Sequence, residues 1–165
     1  MDHRKRLVCG LVALALFTGC ATAKWSVVKL FRTPGEKLQT FPEQVWKEYD
    51  CDAQKRPFFI IETNELTPQT VVAGGDFGHR FVYVMCPALP TEVIEGRLST
   101  RIRYKGNPIV RQMDSRYEIK PGRWTVDALV HLPEDAEAGI YAYELEFDGD
   151  PLFFNKSLTF VVIAQ

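Results

Sequence analysis

The chain is poor in the residues that do chemistry. Of its 165 residues three are histidine, and His3 falls within the leader described below. His79 and His131 remain, with no serine or cysteine near either in a nucleophile setting. Triad chemistry needs nucleophile, base and orienting acid within hydrogen-bond reach, and nothing in this order of residues specifies that. HExxH runs and calcium loops of the Asp-x-Asp-x-Asp-Gly type are missing. Ala73-Gly74-Gly75-Asp76 is no phosphate loop, because a strand rather than a helix follows it. Asp76, close to His79, reads as a strand-start turn, and Asp148-Gly149-Asp150 as a hairpin turn. Neither sign of charge dominates: 20 basic residues stand against 21 acidic ones, which offers no electrostatic case for nucleic acid. The reading is of a protein that is not an enzyme and uses no metal and no cofactor.

Long apolar runs are also lacking. The longest, residues 7–17, would rise about 16 Å as a helix, short of the roughly 30 Å hydrocarbon core of a bilayer. Preceded by Arg4, Lys5 and Arg6, it has the charge and apolar length of an export signal. The join Phe17-Thr18-Gly19-Cys20, with small residues before a cysteine at the end of the apolar run, resembles the lipobox of bacterial lipoproteins. That resemblance implies removal of residues 1–19 as a signal peptide, with Cys20 as the first mature residue and the site of lipidation. The expected leucine position of the lipobox holds Phe17, with Leu16 one place earlier. Ala21 stands where the family would carry aspartate for inner-membrane retention, so the implied address is the cell envelope, at the outer membrane rather than the inner. Several acyl chains, at about 0.8 kcal/mol per buried methylene, anchor stably without a spanning helix. The alternative is an ordinary signal peptide cut after Ala21 or Ala23, with Cys20 incidental.

Removal of residues 1–19 leaves 17 basic and 20 acidic residues, a net charge of −3, in a chain of one domain's length. Cys9 leaves with the signal peptide and Cys20 is taken by lipid, so Cys51 and Cys86 remain as a pair. In an oxidising compartment such a pair reads as a disulfide. The rival, a two-cysteine metal site, lacks histidine ligands at useful spacing.

Residues 20–56 read as a lipidated tether with one short helix, opened by a capping box at Thr40-Phe41-Pro42-Glu43 and running through Tyr49. From Pro57 onward β-branched and aromatic residues dominate, and turns recur at regular intervals. Strands are expected from Phe58, over 79–86, 93–104, 109–119 and 123–132, and from 141 and 152 onward. In 93–104 the alternation places Ile94, Leu98, Ile102 and Tyr104 on one face and Arg97, Ser99, Arg101 and Arg103 on the other. A hairpin centred on Gly106-Asn107 would set Gly96 opposite Tyr117, an aromatic over a bare glycine.

About seven such strands in residues 57–165 predict an all-β, antiparallel sandwich. Leu132-Pro133 followed by Ala138-Gly139-Ile140-Tyr141 looks like a tyrosine corner. On these residues and the strand pattern, 57–164 resembles immunoglobulin-like and fibronectin type III-like modules of exported bacterial proteins. Trp124 falls on a late strand and the cysteines do not bracket it, unlike antibody domains. In that architecture the third and sixth strands are neighbours, so Arg97, Arg101 and Arg103 would meet Glu144, Glu146 and Asp148. The face so formed is either a neutralised, solvated sheet or a charged recognition surface.

The function expected is an envelope lipoprotein whose anchored sandwich binds or scaffolds an envelope protein, offering sheet edges and the end loops 86–91 and 134–139. A passive structural subunit of a surface complex and a secreted hydrolase-type enzyme are the alternatives.

Overall fold

The computed structural model describes residues 32–89 and 91–164; the expected signal peptide, residues 1–19, and Cys20 lie outside the described residues. The described chain runs β1 (Gly35–Thr40), α1 (Pro42–Glu48), β2 (Phe58–Thr67), β3 (Thr70–Val72), β4 (Asp76–Cys86), β5 (Ile94–Tyr104), β6 (Asn107–Ile119), β7 (Gly122–His131), β8 (Gly139–Gly149) and β9 (Phe153–Ile163). These form a four-stranded sheet, β1-β7-β4-β2, and a five-stranded sheet, β3-β9-β8-β5-β6. Among the described residues there are nine strands rather than seven, the additions being β1 and β3. Every pairing is antiparallel except β3 with β9, which is parallel.

β1 corrects the boundary expected at residue 57. Gly35–Thr40 pairs with β7 from Gly35 opposite Asp127 to Thr40 opposite Arg123, so part of the supposed tether belongs to the sheet. The helix is also set differently from the capping box. Phe41 is its N-cap and no side-chain cap bond forms. Thr40, still paired in β1, accepts a hydrogen bond from Arg123 Nη1 at 3.1 Å, which draws its hydroxyl away from the helix.

The two sheets pack on each other through residues that alternate along each strand, as a half-buried strand requires. From β4 come Phe77, Phe81, Tyr83 and Met85; from β8, Tyr141, Tyr143, Leu145 and Phe147; from β9, Phe154 and Phe160. Gly96 does lie opposite Tyr117. The ring in the space its side chain would fill is Phe147 of the neighbouring strand, 2.5 Å from an added Cβ, with Tyr117 edge-on to that ring. The β5–β6 turn is centred on Lys105 (φ 49°) and Gly106 (φ 84°), one residue earlier than expected, and both positive values fit the two-residue turn that matches strand twist. At the start of β8, buried Tyr141 donates from its hydroxyl to the carbonyl of Glu137 at 2.7 Å, tying the corner to the strand.

Candidate functional site

α1 lies on the outer side of the four-stranded sheet, where a second small core holds it. Val45, Cys51, Val84 and Cys86 are buried together, with Trp46, Tyr49 and Phe58 packed around them. A disulfide joins Cys51 to Cys86, with Cα atoms 6.0 Å apart, and fixes the segment after the helix to the end of β4. Arg123 on β7 completes the attachment. Its guanidinium reaches Glu48 at 2.6 Å and Glu62 at 2.9 Å. Those two carboxylates hold it charged. Burial pushes the Glu62 carboxyl up, but hydrogen bonds from Arg123 and Tyr49 outweigh that and hold it below its ordinary range.

Fixing the helix there creates a groove of about 670 Å³. Leu38 of β1, Pro42 and Trp46 of α1, Val93, Pro121 and Trp124 form its apolar lining, and Glu43, Lys47, Glu118 and Lys120 stand among them. Trp124 is oriented by its own hydrogen bond, Nε1 to the carbonyl of Pro121 at 2.9 Å. Lys120 pairs with Glu36 and lies over the Trp124 ring, 5.2 Å from its centroid. A volume of this order with mostly carbon lining and a few polar groups is what binding sites have. The sequence did not point to it, because its walls come from β1, α1 and turns distant in the chain. The available signal was a pair of tryptophans, Trp46 packed on the small second core and Trp124 only partly buried at the margin of the main one.

The expected charged surface is assembled on the outer face of the five-stranded sheet. β5 and β8 are neighbours, and Arg97 meets Asp148 at 2.7 Å. Arg101 touches both Glu144, at 3.3 Å, and Glu146, while Arg103 reaches Glu144 at 2.9 Å. Each of the three arginines therefore already has a carboxylate partner, and a ligand would have to displace it. Exposed pairs contribute little and partly covered ones somewhat more. Arg101→Gln is expected to cost about 1 kcal/mol at low salt, shrinking in 1 M salt, as read from urea midpoints.

The end loops start from opposite ends of the sheet: Cys86 closes β4 at the Gly122 end of β7, and Thr91 lines the groove, whereas 134–139 follows the His131 end of β7 and leads into β8. Asp76 does not pair with His79; it faces His131, Oδ1 to Nδ1 at 2.8 Å, at the surface. His79 is buried, with Nε2 2.8 Å from Asn64 Oδ1 and Nδ1 3.2 Å from the Tyr143 hydroxyl. That pattern suits a neutral ring donating from Nε2 and accepting at Nδ1. Burial lowers its pKa to about 4, against the opposing pull of Asp127. The unfolded chain takes up this proton near pH 6.5 and the native protein only near pH 4. The stabilisation is therefore complete above about pH 6.5 and is lost as pH falls toward 4, by on the order of 3 kcal/mol. Urea midpoints measured from pH 7 to 4 should show that decline, and His79→Leu should lose the His79 part of the slope. No cluster of three or more histidine, cysteine, aspartate or glutamate side chains that could hold a metal ion occurs among the described residues. No helix among them is long and apolar enough to cross a membrane.

No protein-family model matches the chain, and no curated protein sequence does. Solved structures resemble it in part. A family 123 glycoside hydrolase from Clostridium perfringens is 13% identical over 79% of this chain and 27% of its own, with a TM-score of 0.47. A β-glucosidase from Erythrobacter marinus is 10% identical over 64% of this chain and 15% of its own, at 0.46. The sporulation control protein Spo0M of Bacillus subtilis is 15% identical over 66% and 48%, at 0.35. The chain thus spans less than half the length of each.

Proposed function

We propose that the protein is a bacterial envelope lipoprotein, lipidated at Cys20 and held at the outer membrane, whose sandwich is a binding or scaffolding module for an envelope protein. The strand order β2-β4-β7 against β6-β5-β8-β9, with the tyrosine corner at Tyr141, supports reading the sandwich as immunoglobulin-like. The contact surface in this reading is the groove beside α1 rather than the neutralised arginine face.

The observation that carries the reading is the placement of the two ends of β1. The chain arrives at the Gly35 end, where Arg32 pairs with Glu65 at 2.6 Å, and the groove opens toward the Thr40 end. Eleven residues lie between Cys20 and Arg32, a reach of at most about 40 Å, so a lipid at Cys20 would tether the Gly35 end of the sandwich, opposite the end at which the groove opens.

Two measurements test this. Intact mass of the membrane-extracted protein is expected to fit a chain starting at Cys20 with a diacylglyceryl and an acyl group; a chain starting elsewhere and recovered in the soluble fraction sinks the anchor. A photo-reactive residue placed at Lys47 is expected to cross-link one envelope protein reproducibly in cells, while the same residue at Lys156 does not. Equal or absent cross-linking at both positions would sink the binding role.

A further inference from the structure

We infer that the groove receives an extended segment of a partner polypeptide, added as a further strand along the open edge of β1 with one apolar side chain set between Trp46 and Trp124. This rests on the protein-binding reading above and says how the binding is done.

The carbon lining alone would suit an acyl chain or a flat apolar molecule. The neighbouring backbone narrows the choice. Leu38 belongs to β1, which pairs with β7 on one side and, among the described residues, with no strand on the other. Such an edge leaves every second N–H and C=O without a strand partner. An occupant that covers the apolar wall and also meets those groups must carry its own donors and acceptors at strand spacing. A polypeptide has them; a hydrocarbon chain has none, and a sugar lacks the spacing. Strand addition with alternate side chains entering pockets is an established physical mode of peptide recognition.

The polar groups at the rim agree. The indole nitrogen of Trp46 has no hydrogen bond among the described residues, whereas that of Trp124 is used internally. Glu43 and Lys47 on α1 and Glu118 on β6 have no ion pair among the described residues, so the rim offers both signs of charge. Mixed charge suits the side chains of a polypeptide better than a polymer of one sign.

The other edges are worse placed. β2, the opposite edge of the same sheet, shifts register against β4 between Ile61 and Thr63 and contributes no residue to the groove. β6 carries Pro108, shifts register twice against β5, and exposes Arg111, Asp114 and Arg116, all of which discourage pairing. β3 is three residues long. β1, at six residues, has a usual strand length and the groove beside it.

The test uses the full processed chain in detergent and a nine-residue peptide of alternating threonine and valine with a central leucine and terminal lysines. The same peptide N-methylated at alternate residues, and an N-acetylglucosamine tetramer, serve as further probes. The plain peptide is expected to slow hydrogen exchange of the amides in 35–40 at least tenfold, and the N-methylated one to leave them unchanged. Trp46→Ala should weaken plain-peptide binding at least tenfold. Equal binding of the N-methylated peptide, occupancy of the groove by the sugar, or binding without protection of β1 would each overturn strand addition. The N-methylated probe leaves the protein itself unaltered, so the result does not depend on a variant folding. Cross-linking from Lys47 together with unprotected β1 amides would overturn this mode and leave the protein-binding role standing.

Discussion

Replacing Cys51 and Cys86 together by alanine is expected to lower the stability of the domain by roughly 4 kcal/mol. The two residues are 35 apart in sequence, and the bond between them removes the corresponding loop freedom from the unfolded chain. Both are fully buried, in the small core that also holds Val45 and Val84, so the substitution loses packing as well. Urea unfolding of the variant, and of the unaltered chain with and without reductant, measures the effect. The reduced chain and the double variant should agree within about 1 kcal/mol, since both lose the same constraint. Because α1 is held by this bridge and by Arg123, Trp46 emission should shift to the red in the reduced protein before the β-sheet signal changes. A loss of less than about 1 kcal/mol would mean that the Arg123 contacts and the packing of Val45 hold the segment without the bridge.

The second large effect belongs to the centre of the sandwich. Phe147→Ala is expected to cost about 3–5 kcal/mol, because the ring is completely buried between Tyr117 and Phe154 and little around it can collapse. Gly96→Ala attacks the same place from the opposite direction. The added carbon would meet the Phe147 ring at 2.5 Å, the carbonyl oxygen of Asp148 at 2.8 Å and the Cα of Gly149 at 2.9 Å. Two of those three contacts are backbone and cannot turn aside, so a cost of about 1–3 kcal/mol is expected from equilibrium unfolding. If Gly96→Ala proves neutral, β5 and β8 are not packed at this spacing.

What the order of residues made legible was the part governed by short-range alternation. β5, β7 and β8 announce themselves through alternation, and the pairing of β5 with β8 that the sandwich architecture implies agrees with the arginines of one facing the carboxylates of the other. Gly96 faces Tyr117 as the hairpin reading expects, although the turn closes one residue earlier and two register shifts between β5 and β6 restore the opposition. β1 escaped because Gly-Glu-Lys-Leu-Gln-Thr carries one apolar residue and no β-branched residue before its last position. It is a strand by virtue of β7, and tertiary context decides strands more than propensity does. β3 escaped through its length. The helix was foreseen, but its cap was misread, since the hydroxyl of Thr40 answers to Arg123, a residue 83 positions away. The groove was illegible for the same reason: Trp46 and Trp124 become neighbours in one lining only after β1 docks.

The pairing of β1 with β7 joins segments about ninety residues apart. A ribosome releases a chain from its amino end, so β1 emerges long before the strand it needs. Cys51 and Cys86 are both available well ahead of that moment. The bridge can therefore staple α1 to β4 while Gly35–Thr40 still waits as a loose ribbon, and closure of that last strand becomes the late, slow event expected of distant contacts.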